Sequence, residues 1–154
     1  MNFLQLRSLS SANNADLANL ILRIGVFVAL IIHGVTKLID IPGTAGFFGK
    51  VAIANTAPTF WAVLVGVFQV IIPVLILIGL FTRWAGFGMA FMFAFIMIFG
   101  ELGLSGWAWV NERSGGWGFE GGWYYFVIGI VLMLAGAGKY SLDHKLGERH
   151  PYAV

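Results

Sequence analysis

The sequence contains no cysteine, which excludes disulfides, thiolate-held iron–sulfur clusters, covalently attached c-type haem and any CxxC relay within the chain. Charge is also scarce. Only 10% of the 154 residues are charged, against about 25% in an ordinary soluble domain. Nine basic and seven acidic residues give a formal net charge of +2, with no polybasic run of the kind that tracks nucleic acid. No nucleic-acid partner is expected. Apolar residues take the place of charge: 59% of the chain is hydrophobic and 16% aromatic, with a mean hydropathy of +0.87. A soluble domain of this size needs a large polar surface, so the composition excludes a soluble enzyme and requires a membrane.

Long apolar runs cover residues 17–39, 59–81, 84–104 and 122–138. Each is near or above the roughly 20 residues that cross hydrocarbon. The sequence therefore predicts an all-α, polytopic membrane protein built as a four-helix transmembrane bundle. Residues 1–16 form a short N-terminal segment without the features of a removable signal peptide, and residues 139–154 form a tail. Only Thr82 and Arg83 separate the second and third runs, which predicts a tight antiparallel hairpin. The longer connections, Asp40 to Pro58 and Ser105 to Gly121, carry Gly and Pro punctuation. The second connection also holds Trp107, Trp109 and Trp117, which suit an interfacial or partner-binding loop. Arg7, Arg83, Lys139, Lys145 and Arg149 fall on one side of this topology. Lys50 and Arg113, with Lys37 at a helix end, fall on the other, so the positive-inside rule puts both termini in the cytoplasm.

Ionisable groups within a membrane span cost about 2.5–3.5 kcal/mol at the helix centre on insertion scales, which makes each a candidate site residue. On the first helix Arg23, His33 and Lys37 share an arc of roughly 80° at about 100° per residue, a face expected to point into the bundle. Arg23 and Lys37 are also near enough to helix ends to snorkel toward head groups. The third helix brings Glu101 to the depth of His33 and Lys37, so a salt-bridge or one-water contact with one of them is expected. Gln69 lies near the middle of the second helix. Pro73, four residues later, cannot donate to the Gln69 carbonyl, which predicts a kink or a water pocket at that level. Glu120 opens the fourth helix, where an acid complements the helix dipole. A metal at His33 and Glu101 lacks further ligands without a second subunit, so no metal site is expected.

Several short motifs occur in a defined order: Arg23 followed by His33, Gly34 and Lys37; AGFF at Ala45 to Phe48; GLFTR at Gly79 to Arg83; and GAGKYSLD at Gly136 to Asp143. With Glu120 ahead of the Gly-rich ending, this arrangement resembles the DoxX family of small four-helix membrane proteins over nearly the whole chain. The resemblance implies a location in the bacterial cytoplasmic (inner) membrane. It also implies links to quinone-reducing complexes such as thiosulfate:quinone oxidoreductase and to oxidative-stress assemblies. The residues that match the family pattern are Arg23, His33, Lys37, Arg83 and Glu120. The second helix departs from it, because Gln69 and apolar neighbours occupy the place of an acid followed by a Gly pair.

Two functions follow as expectations. In the first, the chain is a non-catalytic or accessory subunit of a larger membrane protein complex and binds membrane lipid or a quinone. The polar cluster Arg23, His33, Lys37, Gln69, Glu101 and Glu120 would line the site, and Trp107, Trp109 and Trp117 would grip the partner. In the alternative, it is the membrane subunit of a quinone-linked oxidoreductase, with a quinone held in the outer half of the bundle. The chain carries no electron carrier of its own in either case, and self-association is open.

Overall fold

The computed structural model describes residues 3–104, 110 and 116–149, with side chains described over 14–104, 110 and 116–147. Helix α1 runs without interruption from Phe3 to Ile39. At about 1.5 Å per residue its 37 residues extend about 55 Å, so the helix projects well beyond its apolar stretch, Asn14–Ile39. Asp40 ends α1 and caps α2 (Ile41–Phe48), its carboxylate accepting from the Gly43 amide at 2.9 Å. The long connection from Asp40 to Pro58 thus contains a helix. Pro42 sits in the first turn of α2, where its missing N–H costs nothing.

Helix α3 (Pro58–Ile78) begins at a proline for the same reason and closes on Gly79, which takes the left-handed conformation (φ 69°). Helix α4 (Thr82–Phe95) passes directly into a π-helical segment, Ile96–Leu102. Helix α5 spans Glu120–Ala135, and α6 covers Leu142–Arg149. Among the described residues the extended backbone pairs only as an isolated antiparallel bridge between Val110 and Trp117. The all-helical class expected from composition is therefore observed.

Among the described residues three helical stretches have the length and composition to cross a membrane: Asn14–Ile39, Pro58–Ile78 and Thr82–Leu102. The fourth apolar helix, α5, has 16 residues. It packs along nearly the whole of α4. Near its start Gly122 lies beside the Glu101 carboxylate, and just past its end Gly136 lies beside Arg83.

Helix α1 packs on α3, α4 packs on α5, and α3 joins the two pairs. Leu30, Ile76, Met89 and Leu132 are fully buried at their junction. Glycines set the closest approaches. A Cβ on Gly86 would lie 2.8 Å from the Gly129 carbonyl oxygen, and one on Gly129 would lie 2.8 Å from that of Gly86. Backbone meets backbone there, as small residues permit in membrane helices.

The end of the bundle that carries α6 is closed by side chain to backbone bonds. Arg23 is 1% exposed. Its guanidinium donates to the carbonyls of Ile76 (2.7 Å) and Leu77 at the end of α3, and to those of Ala137 (2.9 Å) and Tyr140 (2.8 Å) after α5. Helix C-termini leave carbonyls without intrahelical partners and carry partial negative charge, so a buried cation is well placed among them. Asp143 supplies the complement: its two carboxylate oxygens accept from the amides of Phe81 (2.8 Å) and Thr82 (2.9 Å) at the start of α4. Its own amide donates to the Gly79 carbonyl at 2.8 Å. Asp16 on α1 accepts from the Lys139 amide and pairs with its ammonium at 3.5 Å. The two ends of the four-helix unit therefore lie together.

Candidate functional site

At the opposite end of the bundle the helices enclose a cavity of about 350 Å³. Helix α1 contributes His33 and Lys37, one turn apart, and α3 contributes Gln69. The π-helical segment contributes Ile96, Gly100 and Glu101, and α5 contributes Gly121, Gly122 and Tyr125. Phe47, Phe48 and Val51, from α2 and the turn after it, line the same space. Most of the wall is apolar, and its polar groups converge from four helical segments.

Local backbone chemistry explains how these groups reach the cavity. The i→i+5 bonding of Ile96–Leu102 shifts the phase of the side chains that follow, a device that recurs at functional sites. Gly122 provides room for Glu101, because a Cβ there would lie 3.0 Å from Glu101 Oε2 and 2.5 Å from Met97 Cγ. Across the cavity, Pro73 leaves the Gln69 carbonyl without its helical donor. Gly34 packs against that very group, and α3 continues through Pro73 to Ile78. Phe93 stacks on Tyr125 with ring centres 4.5 Å apart, fixing one wall.

Gln69 is 3% exposed, and its Oε1 has no hydrogen-bond partner among the described residues. Glu101 is half-buried, and its Oε2 is likewise without a partner. A buried acceptor left unmatched costs about 1–3 kcal/mol, so two around one cavity call for a further donor there. Among the described residues Glu101 forms no direct ion pair with His33 or Lys37. Lys37 donates to the His33 carbonyl of its own helix at 3.3 Å.

The six residues singled out in the sequence thus divide. His33, Lys37, Gln69 and Glu101 line one cavity. Arg23 does not, although it shares a helix with His33, because ten residues place it about 15 Å away among the carbonyls at the other end. Glu120 is exposed in the first turn of α5, where its Oε1 accepts from the Tyr124 hydroxyl at 2.8 Å. Of the aromatic loop, Trp107 and Trp109 lie outside the described residues. Trp117 is exposed and packs beside Phe119 and Trp123.

Sequence reasoning missed Tyr125 and the α2 wall. Tyr125 stands three residues after Gly122, on the same helical face, which is the signal that was available. The AGFF motif contains Phe47 and Phe48, but only their packing turns them toward the cavity.

These features define a multi-pass helical membrane protein with a polar cavity at one end of its bundle. The DoxX family model matches residues 18–102, more than half of the chain, and the chain belongs to the DoxX family. No curated protein and no solved structure matches it. The matched stretch includes Arg23, His33, Lys37, Gln69 and Glu101 and ends before α5.

Proposed function

We propose that the chain is an accessory membrane subunit that holds the polar head of an amphiphile, a lipid or a quinone, in the cavity between α1, α3, α4 and α5. The observation that carries this reading is the convergence of His33, Lys37 and two unmatched acceptors, Gln69 Oε1 and Glu101 Oε2, on a largely apolar space. Ligand sites combine apolar walls with a few convergent polar groups in this way. Within this reading His33 and Lys37 supply donors on the facing wall, Tyr125 adds a hydroxyl, and the apolar residues take the first part of the ligand's tail. The bundle stands in a bacterial inner membrane with both ends of its four-helix unit toward the cytoplasm, where the excess of basic flanks is retained. The cavity then opens in the outer half of the bilayer.

Retention of a ligand through purification tests this function. The full chain is isolated in mild detergent and its extract analysed for lipids and quinones. His33→Ala and Gln69→Ala are expected to lower the retained ligand several-fold while leaving association with any larger membrane complex intact. An unchanged ligand content in both variants removes the reading. The alternative, a quinone-linked oxidoreductase subunit, draws on His33 and Glu101 as groups able to exchange protons beside one cavity. It requires that the retained amphiphile be a quinone and that a partner subunit deliver electrons.

A further inference from the structure

Resting on the reading that the cavity holds an amphiphile's head group, we infer that this head group is a zwitterion whose cation carries N–H donors, as in an aminophospholipid with a primary ammonium. The inference comes from the charges and hydrogen-bonding groups left unmatched around the cavity. Glu101 supplies a carboxyl group whose Oε2 is unpartnered among the described residues, and Gln69 supplies a second acceptor unpartnered among them. Lys37, on another helix, supplies an amino group whose acceptor among the described residues is the His33 carbonyl of its own helix. Neither Lys37 nor Glu101 has an ion-pair partner among the described residues.

Each simpler ligand leaves part of this arrangement unmatched. An anionic head group satisfies Lys37 and repels Glu101, whereas a cation does the reverse. A neutral dicarbonyl ring accepts hydrogen bonds only, so it offers nothing to Gln69 Oε1 or Glu101 Oε2. A zwitterion places its anion at Lys37 and its N–H donors at Gln69 and Glu101, matching both charges and both acceptors together. A quaternary trimethylammonium keeps the charge and loses every donor. The same head-group chemistry exists in soluble phosphoethanolamine, but walls of Phe48, Val51, Val65 and Phe93 favour a ligand with an apolar tail.

A methylation series tests the inference on the unmodified, full-length chain. The protein is delipidated in detergent and offered equimolar phosphatidylethanolamine, its N-monomethyl and N,N-dimethyl derivatives and phosphatidylcholine, all with the same acyl chains. Bound lipid is read by native mass spectrometry. Retention is expected to fall stepwise with each lost N–H, by about ten-fold between the ends of the series, the scale of one charge-assisted hydrogen bond. Glu101→Gln is expected to flatten the series, and Lys37→Gln to lower all four members without changing their ratio.

A flat series with the parent protein overturns the inference, as does a series unchanged by Glu101→Gln. Displacement of the lipid by an equal concentration of soluble phosphoethanolamine overturns the lipid assignment. The wider reading is judged separately. A flat series with a quinone retained by the parent and lost in Gln69→Ala leaves the amphiphile cavity standing, whereas a flat series with no retained amphiphile removes both.

Discussion

Gly34 of α1 lies against the backbone carbonyl of Gln69 on α3: a Cβ on Gly34 would stand 2.6 Å from the carbonyl carbon and 2.7 Å from its oxygen. This is the carbonyl that Pro73 leaves without a helical donor. The missing hydrogen bond and the missing side chain occur at one point, and together they allow α1 and α3 to pack backbone to backbone one turn from Lys37. Replacing Gly34 with Ala forces the helices apart. The expected cost is about 1–3 kcal/mol, the range for overpacked cores, read as a lowered melting temperature in detergent. Ligand retention should fall with it, because His33 and Gln69 flank the contact.

Arg23→Lys is expected to destabilise the chain although it keeps the charge. One ammonium cannot reproduce the planar fork that reaches four carbonyls on two segments. Leaving one or two buried acceptors unmatched costs about 1–3 kcal/mol each, measurable by thermal unfolding in detergent. The cavity is remote from Arg23, so the surviving folded fraction should retain ligand normally.

Deleting Phe99, a lipid-facing residue of the π-helical segment, restores α-helical spacing and turns the residues that follow by about 100°. Glu101 then leaves the cavity wall. Ligand retention is expected to drop to the level of Glu101→Gln, with a melting temperature close to that of the parent. Retention equal to the parent's would show that the phase shift does not position Glu101.

Reporter fusions at Lys50 and at the C-terminus are expected to report opposite compartments, with the C-terminal one cytoplasmic. Lys50 follows α2 at the cavity end, whereas Asp16 and Lys139 pair at the other end. A cytoplasmic signal at Lys50 would invert the depth assigned to the cavity.

Asp143→Ala removes the acceptor for the Phe81 and Thr82 amides at the start of α4. The loss is expected to be about 0.5–2 kcal/mol, as for other helix N-caps, and is checked by the same unfolding measurement.

Composition alone determined that this chain is helical and membrane-embedded, because 59% hydrophobic residues with 10% charge cannot be covered by a small soluble fold. Long apolar runs also marked the helical stretches Asn14–Ile39, Pro58–Ile78 and Thr82–Leu102, since lipid demands runs that satisfy their own backbone hydrogen bonds. Helical rise put His33, Lys37 and Glu101 at a common depth, for rise and phase are properties of a single helix, whereas Gln69 was placed nearer the middle of its own helix. Which of those groups touch was decided only by packing. Arg23 shares an arc with His33 in sequence, yet the folding of Gly79 and Gly136–Tyr140 around it makes it a closure of the bundle's far end. The π-helical phase shift before Glu101, the helix hidden in the Asp40 to Pro58 connection and the stack of Tyr125 on Phe93 have the same origin. Each depends on contacts between segments far apart in the chain, and such contacts leave no periodic mark in the sequence of either partner.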